Sequence, residues 1–152
     1  MEKTVDYLLE WAENYFKSKD AITKRVVAME KKGNALVIKY KHKQATIIIK
    51  PNLDDFASDI EKFGEDDHFS IIALNSESNI KLFLENWKKI EKYKFLSFYF
   101  VNPFSDTEKK WIIYPHTHNK ITEEKTLKLG INSLAEAVQK ISFEEYESKL
   151  IS

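Results

Sequence analysis

The chain contains no cysteine, and it has only three glycines and three prolines in 152 residues. Without cysteine, the protein has neither disulfide bonds nor a thiolate-ligated metal site. Glycine and proline interrupt regular structure, so their scarcity predicts long elements joined by short loops. The three glycines also lie far apart, which excludes the glycine-rich loops that bind the phosphates of nucleotides and dinucleotides.

Long apolar runs are missing as well. No segment approaches the roughly 20 consecutive apolar residues that span a bilayer. The first residues lead directly into a charged amphipathic stretch, without the apolar core of a secretory signal. We therefore expect no membrane span, no signal peptide and no membrane partner, and we expect a cytoplasmic location.

Arginine is almost absent, since Arg25 is the one exception among 24 basic residues. The net charge is zero, but residues 1–50 carry 11 basic against 6 acidic side chains. Lysine is an ordinary residue of exposed strand faces, so a solvated surface explains this excess. The alternative is a weak nucleic-acid partner, bound through phosphates without bidentate reading of base edges. The candidate phosphate contacts are Lys39, Lys41, Lys43 and Lys50.

The spacing of apolar residues predicts an α/β protein with one domain over residues 1–152. Three short strands with period-two patterning indicate an antiparallel meander, and helices and strands alternate after it. The predicted order is α-β-β-β-α-β-α-β-β-α-α, in a mixed central sheet of about six strands with flanking helices. The predicted strands are 24–30, 35–41, 44–50, 69–75, 95–101 and 110–114. The predicted helices are 4–18, 53–63, 76–93, a short segment at 122–128 that Gly130 ends, one from 133, and 143–151.

Residues 69–75 and 95–101 are apolar at almost every position, which is typical of strands covered on both faces. We expect both strands to lie inside the sheet, and the aromatic residues between 95 and 114 to be core rather than a base-stacking surface. Phe104, in the loop after the second strand, is the expected exception, as an exposed contact residue. The predicted buried face of the first helix consists of Val5, Leu8, Leu9, Ala12 and Phe16.

The second and third predicted strands carry a specific residue pattern. Gly33-Asn34-Ala35 opens the second strand, and Ile48-Ile49-Lys50 ends the third. With the order α-β-β-β-α-β over residues 4–75, this pattern resembles the PD-(D/E)XK, or restriction-endonuclease-like, superfamily. In that family, an Asp on the second strand and an acidic-x-Lys triplet on the third converge on Mg²⁺, and the Lys helps to position water at the phosphate.

The resemblance implies a nuclease-like core with a degenerate site. Lys50 matches the lysine of the triplet, but Asn34 or Ala35 stands in place of the first acid and Ile48 in place of the second. Isoleucine offers no oxygen to a hard cation, so we expect no metal, no cofactor and no cleavage. The alternative is a divergent metal-dependent nuclease with relocated acids, and the nearest candidates are Glu10, Glu13 and Glu30.

His116 and His118 lie two residues apart after the last predicted strand. On an extended segment they would point the same way, as zinc ligands do. A zinc site needs further ligands, and no other histidine lies at a usable spacing. We therefore expect polar residues that close a strand end, with no metal bound.

The sequence favours a non-catalytic α/β binding or interaction module with a degenerate nuclease-like site, whose partner is a nucleic acid or a protein. Two other hypotheses stand beside it. One is the nuclease with relocated acids, and the other is a structural or oligomeric protein that uses its C-terminal helical part as a partner surface. Carboxylates that converge beside Lys50 would favour the nuclease, whereas an apolar environment there would favour the module.

Overall fold

The computed structural model describes residues 2–151, and the side chains of residues 3–151. No helix in this range is long and apolar enough to cross a membrane. The elements are α1 (Glu2–Thr23), β1 (Val26–Lys32), β2 (Ala35–Tyr40), β3 (Gln44–Ile49), α2 (Phe56–Ile60), β4 (His68–Leu74), α3 (Glu77–Glu85), α4 (Trp87–Ile90), β5 (Phe95–Val101), β6 (Lys110–Ile113), α5 (Pro115–Ile121), α6 (Glu124–Ala135) and α7 (Phe143–Ile151).

The six strands form one mixed sheet, in which their order along the chain is also their order in space. β1, β2 and β3 make an antiparallel meander, β3, β4 and β5 run parallel, and β6 returns antiparallel to β5. The predicted α/β class and the mixed sheet of six strands are therefore confirmed. β4 and β5 both have neighbours on two sides, which confirms the inner position predicted from their hydrophobicity.

Turn chemistry sets the register of the meander. Lys32 pairs with Ala35, so Gly33 and Asn34 form a two-residue turn, and Gly33 has a φ of 60°. Glycine adopts this left-handed backbone without a steric penalty because it has no Cβ. The turn brings Asn34 beside the end of β3, where Pro51 lacks the N–H that a continuing strand would need.

Helices cover both faces of the sheet. One face packs against α1, and the other packs against α2, α3, α4 and α6. α7 lies against α1 and the end of β4, where the hydroxyl of Tyr146 donates a hydrogen bond to the backbone oxygen of Thr4 at 2.5 Å. The predicted buried face of α1 is confirmed for Leu8, Leu9, Ala12 and Phe16, and Val5 is partly buried.

Several helical predictions are wrong. The helix predicted over 76–93 is interrupted at Asn86, whose side chain donates to the backbone oxygen of Leu82 and competes for this helical acceptor. α6 continues through Gly130, since a helical glycine costs only about 1 kcal/mol relative to alanine, and it ends at Ala135, so the separate helix predicted from 133 does not form. α5 replaces a predicted loop, because Pro115 stands at the first helical position, where its missing N–H is not needed.

Truncation of Leu9 tests the packing of α1. Leu9→Ala should lower the free energy of unfolding by roughly 2–5 kcal/mol, because it removes buried methyl groups and leaves a cavity. Urea unfolding measures the loss. The matched control is Leu129→Ala on α6, where the leucine is 71% exposed and the same change should cost less than about 1 kcal/mol. Equal losses in the two variants would show that α1 does not bury this face.

Candidate functional site at the carboxyl edge of the sheet

The parallel strands β3, β4 and β5 end at the same edge of the sheet, here called the carboxyl edge. In open α/β sheets, ligands bind in the crevice beyond these strand ends. The residues that follow the three strands are polar, with Lys50 after β3, Asn75 after β4 and Asn102 after β5. The carboxyl edge is therefore the first place in the molecule where a reactive site is expected.

The structure brings Asn34 and Lys50 together at this edge. The backbone N–H of Ile49 donates to the backbone oxygen of Asn34 at 2.8 Å, and the side-chain amide of Asn34 donates to the backbone oxygen of Ile49 at 3.3 Å. Lys50 follows directly, and its backbone N–H donates to the backbone oxygen of Ile72 at 2.9 Å. The side chain of Asn34 thus supports the backbone at the end of β3.

Ile48 occupies the position of the second acid in the nuclease-like pattern. Its side chain is 6% exposed and packs in the core between the sheet and α2, together with Leu53 and Phe56. Its partner on β2 is Ala35. Both side chains are hydrocarbon, so this position offers no oxygen ligand to a cation.

The ammonium group of Lys50 is paired with a carboxylate. Its Nζ lies 3.1 Å from the Asp59 carboxylate on α2, and both side chains are partly buried. The pair links α2 to the end of β3 and compensates the lysine charge. Within residues 2–151, no group of three or more His, Asp or Glu side chains is arranged to hold a metal ion.

The acids considered for a relocated site lie on α1 and β1. Glu13 contacts Lys31 across these two elements at 3.1 Å, and this hydrogen bond is the main cause that holds the pKa of Glu13 below its ordinary value. Glu30 contacts Lys39 on the neighbouring strand at 3.0 Å. Glu10 is exposed on α1. Two of the three candidates therefore already neutralise lysines.

A buried side-chain amide fills the carboxyl edge between β3 and β4. Asn79 of α3 is almost fully buried, and its oxygen accepts from the backbone N–H of Leu53 at 2.9 Å. Its NH₂ group donates to the backbone oxygens of Pro51 at 2.7 Å and Leu74 at 2.9 Å. One side chain thus forms hydrogen bonds with three backbone groups where the chain leaves β3 and β4.

Asn75 closes the next part of the same edge. Its NH₂ group donates to the backbone oxygens of Ala135 at 3.0 Å and Val138 at 2.9 Å, at the end of α6. Its oxygen accepts from the indole N–H of Trp111 at 2.8 Å. Asn102 makes a similar bridge from the end of β5 to the segment after α6.

The carboxyl edge is thus closed by the protein's own hydrogen bonds. Asn75, Asn79 and Asn102 hold strand ends to helix ends, and each amide has protein partners for its N–H groups and its oxygen. The sequence pattern does not identify this set. The available signal was an asparagine directly after each of two apolar strands, where buried backbone groups need partners.

The four candidate phosphate contacts lie at two ends of the sheet. Lys50 is at the carboxyl edge, whereas Lys41 and Lys43 lie in the β2–β3 turn at the other end. The length of β3 separates these ends by roughly 20 Å. Lys39 and Lys50 are ion-paired with Glu30 and Asp59, so the four lysines do not form one patch.

His116 and His118 do not form a pair. They lie on helix α5 rather than on an extended segment, so their side chains point about 200° apart around the helix axis. The Nδ1 atom of His116 is 2.9 Å from the backbone oxygen of Glu91. The His118 ring packs edge-on against Trp87, and burial lowers the pKa of His118. Both histidines therefore attach α5 to α4 and the segment that follows it.

Phe104 is partly buried, so the prediction of an exposed contact residue is wrong. Its ring stacks on Tyr7 with ring centroids 5.4 Å apart, and its centroid lies 6.3 Å from that of the Tyr146 ring on α7. The ammonium of Lys149 lies 5.5 Å from the centre of the same ring. Phe104 therefore belongs to the contact between α1 and α7, which loop position alone does not reveal.

Comparison with known proteins identifies no relative of this chain. No family model, no curated protein and no solved structure matches the chain. Any assignment of function therefore depends on the contacts described above.

His116 and His118 should not bind zinc, because their directions on α5 diverge and both rings have protein partners. The measurement is the metal content of tag-free protein purified without chelator, by plasma mass spectrometry. The expected zinc content is far below one ion per chain. Stoichiometric zinc that is lost in His116→Ala but retained in the matched control His42→Ala would contradict this prediction.

Proposed function

We propose that this chain is a non-catalytic binding or interaction module built on a degenerate restriction-endonuclease-like core. The observation that carries the proposal is the buried Ile48 at the place of the second metal-binding acid. The order α1-β1-β2-β3-α2-β4 and the contact between Asn34 and the end of β3 support the nuclease-like core.

The number of available oxygen ligands supports a non-catalytic role. Mg²⁺ demands near-octahedral oxygen ligands and gives up its water reluctantly, so a nuclease site supplies several carboxylates. At the end of β3, the neutral amide of Asn34 is bound to backbone, and Ile48 has no oxygen. Asp59 is paired with Lys50. One neutralised carboxylate supplies too little charge to hold the cation where water and phosphate meet.

Lys50 supports the same conclusion. In a nuclease its ammonium would stabilise charge at the scissile phosphate, whereas here it is bound to Asp59 and fixes α2 against the end of β3. The buried asparagines beside it serve the backbone. The polar residues at the carboxyl edge therefore have structural partners, and binding is assigned to another surface of the module.

Neither Mg²⁺ nor Mn²⁺ should turn this protein into a nuclease, because the clamp of carboxylates is missing. Duplex, branched and single-stranded DNA, incubated with excess protein and either metal, should all remain intact on denaturing gels. Lys50→Ala is compared with Lys62→Ala, an exposed lysine after α2. Metal-dependent cleavage that Lys50→Ala abolishes and Lys62→Ala preserves would refute the proposal, and would direct attention to Glu10, Glu13 and Glu30.

A further inference from the structure

The end of the sheet opposite the carboxyl edge, here called the amino edge, carries exposed aromatic rings on the side of α1. β4 and β5 begin here with His68 and Phe95, which are cross-strand partners. Their rings are stacked, with centroids 4.2 Å apart and an interplanar angle of 13°. Phe95 is 43% exposed, so its predicted place in the core is wrong.

Tyr114 adds a third ring to this surface. The register of β5 and β6 places it opposite Ser97, so alternation puts Tyr114 and Phe95 on the same face. Such diagonal neighbours lie about 7–8 Å apart in a sheet. Tyr114 is 49% exposed. His68, Phe95 and Tyr114 together are here called the ring surface, and they span β4, β5 and the end of β6.

The β2–β3 turn, which carries Lys41 and Lys43, lies at the same edge of the sheet as the ring surface. The ammonium of Lys43 is 5.4 Å from the centre of the Tyr40 ring. Burial, and then the nearby charge of Lys43, lower the pKa of His68. In the part of the chain that the structure describes, neither Lys41 nor Lys43 has a carboxylate within ion-pair distance.

The acidic loop 65–67 also lies at the amino edge, and two of its three carboxylates are engaged. Asp66 contacts Lys94 at 3.2 Å, and Asp67 accepts from the backbone N–H of Gly64 at 2.6 Å. Lys41 and Lys43 are exposed and have no such partner, so their charges are available to an anionic ligand.

We propose that the ring surface stacks the bases of a single-stranded nucleic acid while Lys41 and Lys43 contact its phosphates, an inference that rests on the proposed function as a binding module. Exposed rings next to basic side chains bind single strands because every base has a π-face. A duplex hides these faces within its stack, so unpaired strands are preferred. Base-edge reading needs groups such as arginine, and Arg25 is the one arginine, so binding is tolerant of sequence.

Fluorescence anisotropy tests the proposal with four labelled probes of about 20 nucleotides, long enough for one such site. The probes are oligo-dT, oligo-rU, an abasic DNA strand of equal length, and a duplex. The wild-type protein should bind oligo-dT or oligo-rU at least about fivefold more tightly than the abasic strand, since stacking on rings is lost without bases. The duplex should bind more weakly than the better of the two single strands.

Variants separate stacking from charge. Phe95→Ala combined with Tyr114→Ala should weaken binding of the base-bearing strand about tenfold or more and leave the abasic strand unchanged. If the double alanine variant unfolds, Phe95→Leu combined with Tyr114→Leu replaces it. Leucine preserves apolar bulk but removes the ring, so this variant should give the same result. Lys41→Gln combined with Lys43→Gln should weaken both strands and reduce the log–log salt slope by about 1.4.

Two matched controls change exposed residues of α6 and should leave binding unchanged. One combines Lys125→Gln with Lys128→Gln, and the other is Leu129→Ala. Failure to bind either single strand would overturn the inference. Equal affinity for abasic and base-bearing strands, tighter binding of the duplex, or equal losses in the α6 controls would also overturn it. None of these results would contradict the proposed function as a non-catalytic module. Only metal-dependent cleavage of DNA would contradict that proposal.

Discussion

The structure depends on how backbone groups find partners after the parallel strands end. A buried N–H or C=O group without a partner costs about 1–3 kcal/mol, and the chain leaves such groups where it turns from β3 and β4 towards α2 and α3. Asn79 supplies three of these hydrogen bonds from one side chain, to Pro51, Leu53 and Leu74. Asn75 supplies the equivalent contacts between β4 and the end of α6. The helices can cover the sheet at this end because the amides satisfy its strand ends.

These hydrogen bonds bear on function, because the carboxyl edge is where α/β proteins usually bind their ligands. Here the edge holds buried amides, the Lys50–Asp59 ion pair and the hydrocarbon of Ile48. Its polar groups are committed to the fold, so the proposed function is binding without catalysis. Exposed rings adjoin two lysines at the amino edge, and the proposed single-strand contact follows from that separation.

The strands were predictable because their signal is local. Residues 95–101 are apolar on both faces, and β5 covers this same range inside the sheet. The bond from Asn79 to Pro51 joins residues 28 positions apart, and no local pattern encodes such a pair. The burial of aromatic residues was also not predictable from local pattern. Phe104 is predicted to be exposed but stacks on Tyr7, whereas Tyr114 is predicted to lie in the core but is 49% exposed. Exposure at a strand end depends on what the neighbouring elements cover, and periodicity does not contain that information.

The most direct test of this account is the free energy of unfolding of Asn79→Ala, measured in urea against Asn14→Ala, an exposed asparagine on α1. Asn79→Ala should lose roughly 2–4 kcal/mol, because the buried N–H of Leu53 loses its partner and the backbone oxygens of Pro51 and Leu74 each lose one of two hydrogen bonds. Asn14→Ala should change the value by less than about 0.5 kcal/mol. Unchanged or increased stability in Asn79→Ala, as expected of a residue kept for ligand binding at the expense of stability, would contradict it.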